Sequence, residues 1–154
     1  MPDTPNHAKA QRYAEVLERC EIAIDTTFSL EAITLVESMI TDRLLACAEA
    51  RYGQERASIN SLHRALDFHI ARLEGEKAQA AHEGHRTEDL FGALHLWKDR
   101  RNDLMHGLAK SFPGEEIENY DQRMREACET AEQGLALFRM LDNWSRRKAP
   151  QASS

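Results

Sequence analysis

Valine is almost missing from this chain of 154 residues: Val16 and Val36 are the only two, and aromatic residues make up 6%. Strand-favouring residues are scarce while Ala, Leu, Glu and Arg are plentiful, a balance that predicts an all-α domain. Cysteine is sparse as well. Cys20, Cys47 and Cys128 lie in apolar-periodic surroundings and are spaced too widely for a zinc knuckle. An odd number with no pairing pattern argues against a disulfide framework and fits reduced thiols of a cytoplasmic protein. No run of ~18 apolar residues occurs, so no membrane span is expected, and residues 1–20 lack the apolar core of a signal peptide. Excess positive charge is missing too. A formal net charge of −6 argues against a broad non-specific nucleic-acid surface. It leaves room for a small site that grips one or two phosphates. Neither a phosphate-cradling glycine loop nor a Gly-x-Ser-x-Gly elbow is present.

What the chain does have is helical periodicity. A length of 154 residues suits one domain, able to bury ~68–70% of its unfolded surface. We expect that domain over residues 8–148, with polar tails at 1–7 and 149–154. The pattern predicts an antiparallel helical bundle of four main helices plus a short N-terminal one. The N-terminal piece spans about Ala8 to Ile24. The next, about Leu30 to Tyr52, carries Leu30, Ile33, Leu35, Val36, Met39, Ile40, Leu44, Leu45 and Cys47. That stripe is too broad for one neighbour, and Gly53 is placed to end it. Its breadth suggests more apolar surface than one bundle covers, hence a homodimer or a heterologous protein partner.

A third helix is expected after Ser58, through Ile59, Leu62, Leu66, Ile70 and Leu73, giving way to a main loop at "EGEKAQAAHEGHR". Thr87 then reads as an N-cap with acidic residues in the following turn. Its helix carries Leu90, Leu94, Trp97, Leu104 and Leu108. Phe112-Pro113-Gly114 is a strong stop. A last long helix runs from Glu115 to about Arg147, lined by Tyr120, Met124, Cys128, Ala131, Leu135, Phe138, Leu141 and Trp144.

Metal is the first chemistry to test against seven histidines: His7, His63, His69, His82, His85, His95 and His106. A carboxylate-bridged metal pair in a bundle uses repeated Glu-x-x-His. Here the residues three before the helical histidines are Asn60, Leu66, Gly92 and Asp103, and only Asp103-x-x-His106 fits loosely. His82 and His85 can bind adventitious metal. Neither spacing nor ligand set fits zinc, so no metal site and no cofactor are expected. The basic run at 146–148 is most simply a helix end complementing the macrodipole.

The densest polar chemistry lies in "WKDRRNDLMHGL", Trp97 to Leu108. At roughly 100° per residue, Asn102 and His106 fall one turn apart on one face, so the amide can orient the imidazole. Arg101 lies about 140° around from His106. The two converge only at a cleft, for instance one shared with a second copy of the helix. Guanidinium and imidazole together suit metal-free RNA cleavage. Histidine moves protons near neutral pH, arginine holds the phosphate through its planar fork, and the 2′-hydroxyl is the nucleophile. The plainer alternative is a solvated helix face, with Asp99 and Asp103 pairing with Arg100 and His106.

With "RNDLMH" supplying Arg101, Asn102 and His106, the segment resembles the signature of the HEPN superfamily (higher eukaryotes and prokaryotes nucleotide-binding). That signature is an arginine, a polar residue often asparagine, and a histidine four to six residues after the arginine, near the start of a late helix. The flanking "LFGALHLWKDR" and "GLAKSF" are family-like, as is the order of helices. The resemblance implies a HEPN-like bundle that dimerises and a metal-independent endoribonuclease of toxin–antitoxin or phage-defence type, with an antitoxin as further partner. Its products would be a 2′,3′-cyclic phosphate and a 5′-hydroxyl. Arg101 would hold the scissile phosphate, His106 would transfer protons and Asn102 would orient the site. Arg100 also has a permitted spacing, with Arg101 preferred because Asn102 follows it directly. Toxins paired with a nucleotidyltransferase antitoxin often carry tyrosine two residues after the histidine. Leu108 stands there, which removes support for regulation at such a tyrosine. The same resemblance allows a non-catalytic interaction or nucleotide-binding module.

Overall fold

The computed structural model describes residues 5–25, 28–83, 87–109 and 117–146. They form five α-helices: α1 (Pro5–Asp25), α2 (Ser29–Tyr52), α3 (Leu62–Glu83), α4 (Thr87–Ala109) and α5 (Ile117–Arg146), with a short 3₁₀ turn at Arg56–Ile59. No strand occurs among the described residues, and no helix is long and apolar enough to cross a membrane. The all-α expectation holds. The stop expected at Phe112-Pro113-Gly114, His85, Arg147 and the side chains of Leu73, His82, Leu108 and Tyr120 lie outside what is described.

Three boundaries differ from expectation. The N-terminal helix is not short: α1 has 21 residues and starts at Pro5, inside the expected tail. Proline suits a first helical turn, where its missing N–H has no partner to lose. The main loop expected from "EGEKAQAAHEGHR" is mostly helix, because α3 continues to Glu83. Its run of Glu, Lys, Gln and Ala favours helix, and one internal glycine costs only about 1 kcal/mol. Nor does α3 begin at Ile59, which belongs to the 3₁₀ turn. Ser61 caps it instead, its Oγ accepting the Arg64 backbone N–H at 3.2 Å.

The second helix is the hub of the fold. It packs against α1, α3 and α5, while α4 packs against α3 and α5. Of the expected stripe, Ile33, Val36, Met39, Ile40, Leu44 and Cys47 are buried against helices of the same chain, while Leu30, Leu35 and Leu45 stay half-buried at its edges. Gly53 ends α2 in the left-handed conformation, φ 63°. Its N–H donates to the Glu49 carbonyl at 3.0 Å, and the Gln54 N–H reaches back to the Ala48 carbonyl at 3.3 Å. These bonds satisfy the last carbonyls of the helix.

One close approach fixes α4 against its neighbours. A Cβ at Gly134 of α5 would fall 2.6 Å from the Trp97 ring and 2.7 Å from Val36 Cγ1. Only glycine lets the three helices meet there without a shift. The Trp97 indole N–H then donates to the Thr130 carbonyl at 2.8 Å, which sets the register of α4 on α5 one turn before Arg101.

Candidate functional site

Trp97 determines where the arginine goes. At ~100° per residue, Leu90, Leu94, Trp97, Arg101 and Leu104 lie on one side of α4, and the four apolar members are buried. Arg101 therefore continues the core-facing side and is half-buried. An arginine so placed needs partners, and it has two. Its Nη2 forms an ion pair with Glu37 of α2, and its Nη1 donates to the Asn102 Oδ1 at 2.7 Å. Its Nε has no hydrogen-bond partner among the described residues.

His106 is different. It sits exposed in the last turn of α4 and has no hydrogen-bond partner among the described residues. Its face, shared with His95 and Asn102, is about 140° from the core-facing side. The structure thus brings Arg101 and Asn102 together and leaves His106 apart. The expected bond between amide and imidazole is replaced by one from guanidinium to amide. The motif also lies toward the end of α4 rather than near a helix start.

Arg100 faces α5 instead, donating to the Gln133 Oε1 at 2.9 Å and lying 3.6 Å from Glu129. The pairing of Asp99 with Arg100 gives way to contacts with His95 and Lys98, at 3.5 and 3.4 Å. Beside the motif, a cleft of about 370 Å³ opens between α4 and α5, lined by Arg100, Asp103, Arg123 and Glu126 among others. Arg123 holds its rim through a 2.8 Å hydrogen bond to the Gly107 carbonyl.

A second polar cluster lies on the α3–α4 seam, beginning one turn before Asn102. Lys98 is buried, its side chain only 7% exposed. Its Nζ lies 2.9 Å from His63 Nδ1 and 3.4 Å from His95 Nε2. Each imidazole is flanked by a carboxylate one turn further along its own helix: His63 Nε2 is 3.1 Å from Asp67, and His95 Nδ1 is 3.5 Å from Asp99. His63, Asp67 and His95 have ligand-capable atoms all within 4.8 Å of one another.

Sequence reasoning missed both Glu37 and this cluster. Two signals were there: a lone carboxylate inside the apolar run "ITLVESMI", and His-x-x-x-Asp occurring twice, in "HRALD" and "HLWKD". A search for Glu-x-x-His looks before the histidine, whereas here the carboxylate lies four residues after it.

His69, by contrast, is a core histidine. It is almost wholly buried, stacked on Phe91 at 5.5 Å, with its Nε2 2.8 Å from the Leu44 carbonyl. Burial holds its pKa below the ordinary 6.5, with Arg51 adding to the effect and the Leu44 carbonyl opposing it. Comparison of the chain with protein-family models, with curated proteins and with solved structures gave no match.

Proposed function

We propose that the protein is a metal-independent endoribonuclease of HEPN type, acting as a homodimer whose two copies of Arg101, Asn102 and His106 share one cleft. The observation that carries this reading is the division of labour on α4. Arg101 is held half-buried by Glu37 and Asn102 while His106, about 140° around the helix, stands exposed with no partner among the described residues. A fixed guanidinium is preorganised for a phosphate, and an exposed imidazole is available for proton transfer. One protomer points the two apart, so a joint action on one phosphodiester calls for a second copy.

The reaction follows from those roles. A base takes the 2′-hydroxyl proton, the oxygen attacks the adjacent phosphorus, and the 5′-oxygen leaves with a proton from an acid. A 2′,3′-cyclic phosphate and a 5′-hydroxyl remain. His106 serves as base or acid, and Arg101 stabilises the phosphorane charge once phosphate competes with Glu37 for its fork.

The test is cleavage of several RNAs in excess chelator, with end analysis of the products. Wild type should cut, and Arg101→Ala and His106→Ala should each lose at least about 100-fold, the usual range for an acid–base or electrostatic group. Glu37→Gln, which frees the guanidinium, should bind RNA more tightly. Equal behaviour of wild type and His106→Ala, active or inert, sinks the proposal.

A second reading has its own support: both terminal nitrogens of Arg101 already have partners within the chain. On that view the arginine is a strut between α2 and α4 in a non-catalytic HEPN-fold module. The cleft beside Arg100 and Arg123 is then a binding site for a nucleotide or a protein segment, its volume within the usual range for ligand pockets. Here Glu37→Gln lowers stability, and no variant alters RNA.

A further inference from the structure

We propose that His63, Asp67 and His95 form a binding site for a divalent transition-metal ion of the zinc class, clamping α3 to α4, with Lys98 as its built-in competitor. The site lies apart from the arginine motif and does not depend on the nuclease reading.

Geometry comes first. Zn–N and Zn–O bonds of 2.0–2.2 Å in a tetrahedral site put neighbouring ligand atoms ~3.4 Å apart. His63 Nε2 and Asp67 Oδ2 are already 3.1 Å apart, and His63, Asp67 and His95 each have one ligand-capable atom within 4.8 Å of the other two. His63 is exposed and His95 half-exposed, so a modest ring rotation closes the set. Three protein ligands leave a fourth position for water or substrate, the arrangement of an open zinc site. Two imidazoles and a carboxylate suit a borderline ion and disfavour magnesium or calcium, which take oxygen ligands.

Electrostatics supplies the second argument. With uncharged imidazoles, the cluster holds two carboxylates, Asp67 and Asp99, against one ammonium, Lys98. It is therefore a net negative site whose occupant is a cation. Asp99, 3.5 Å from His95 Nδ1, is the outer carboxylate that orients a ligating histidine and raises its basicity.

Lys98 gives the proposal its distinctive prediction. An ammonium can only donate, so its 2.9 Å bond puts a lone pair on His63 Nδ1 and the proton on Nε2, facing Asp67. A metal on Nε2 needs the opposite tautomer, with the proton on Nδ1 facing Nζ. Metal and ammonium thus demand different forms of the same ring. Glutamine at this position would offer a carbonyl oxygen to the Nδ1 proton and favour the metal-bound tautomer.

The experiment is titration of chelator-stripped full-length protein with Zn²⁺ against a chromophoric indicator, with Co²⁺ in parallel for its visible d–d absorption. Circular dichroism confirms that each variant is folded. One ion per chain should bind, and His63→Gln and His95→Gln should each weaken it at least tenfold. Lys98→Gln should tighten it by about tenfold, and the double variant His82→Gln/His85→Gln should leave it unchanged. Binding that survives His63→Gln and His95→Gln, or disappears with His82 and His85, places the ion elsewhere and overturns the proposal. Unchanged or weaker affinity in Lys98→Gln overturns it as well.

Discussion

His69 and His106 sit at opposite extremes of what this bundle does with an imidazole. His69 is enclosed by Phe91, Trp144, Tyr52 and Phe68, with ring centroids 5.0–6.3 Å apart around the cluster. Arg51 covers the Trp144 ring at 3.9 Å. There the imidazole is a packing element with one satisfied nitrogen. His106 is exposed and has no hydrogen-bond partner among the described residues. The contrast teaches that the chemistry of a histidine is set by what holds its lone pair. The same residue type is core filler in one region and an exposed helix-end side chain in the other.

Breaking the packed region should have the largest effect. Phe91→Ala removes a ring that is 1% exposed and lies between His69 and Trp144, and should cost about 3–5 kcal/mol in urea denaturation. A loss below about 1 kcal/mol would mean that the ring contributes little to the packing of the cluster. The pH response is smaller but more specific. The folded chain holds His69 below 6.5, so the unfolded chain takes up its proton more readily. Its contribution is intact above pH 6.5 and falls as pH drops through 6.5 toward the folded value. His69→Gln should flatten that part of the stability curve, and an unchanged slope would reassign it to other groups. His106→Ala should give the smallest change, within about 0.5 kcal/mol of wild type. A larger loss would show that its ring is structural after all.

Much of the fold could be read from residues close together in the chain. The apolar stripe and Gly53 placed α2 to within one residue, and the scarcity of valine announced the helical class. Local reading failed where glycines looked like punctuation, since Gly75 lies inside α3. The arginine and histidine of the motif were visible, but their partners were not. Glu37 reaches Arg101 only because α2 and α4 both pack on α5 and bring these two side chains together. His63 meets Lys98 only because α3 lies beside α4. Such pairings depend on helix rotation, which periodicity gives to within a face and not to within a side chain.

The central place of α2 has a consequence in time. Its most extensive packing is with α5, the last helix of the chain. All-helical domains rich in local contacts fold quickly, but contacts between distant segments must first close a long loop. During synthesis, the apolar surface of α2 that packs on α5 stays uncovered until α5 emerges. The early chain is then at its most prone to aggregate. A truncation that removes α5 would uncover Val36 beside Gly134, and a chaperone would bind that fragment rather than the chain with α5 in place.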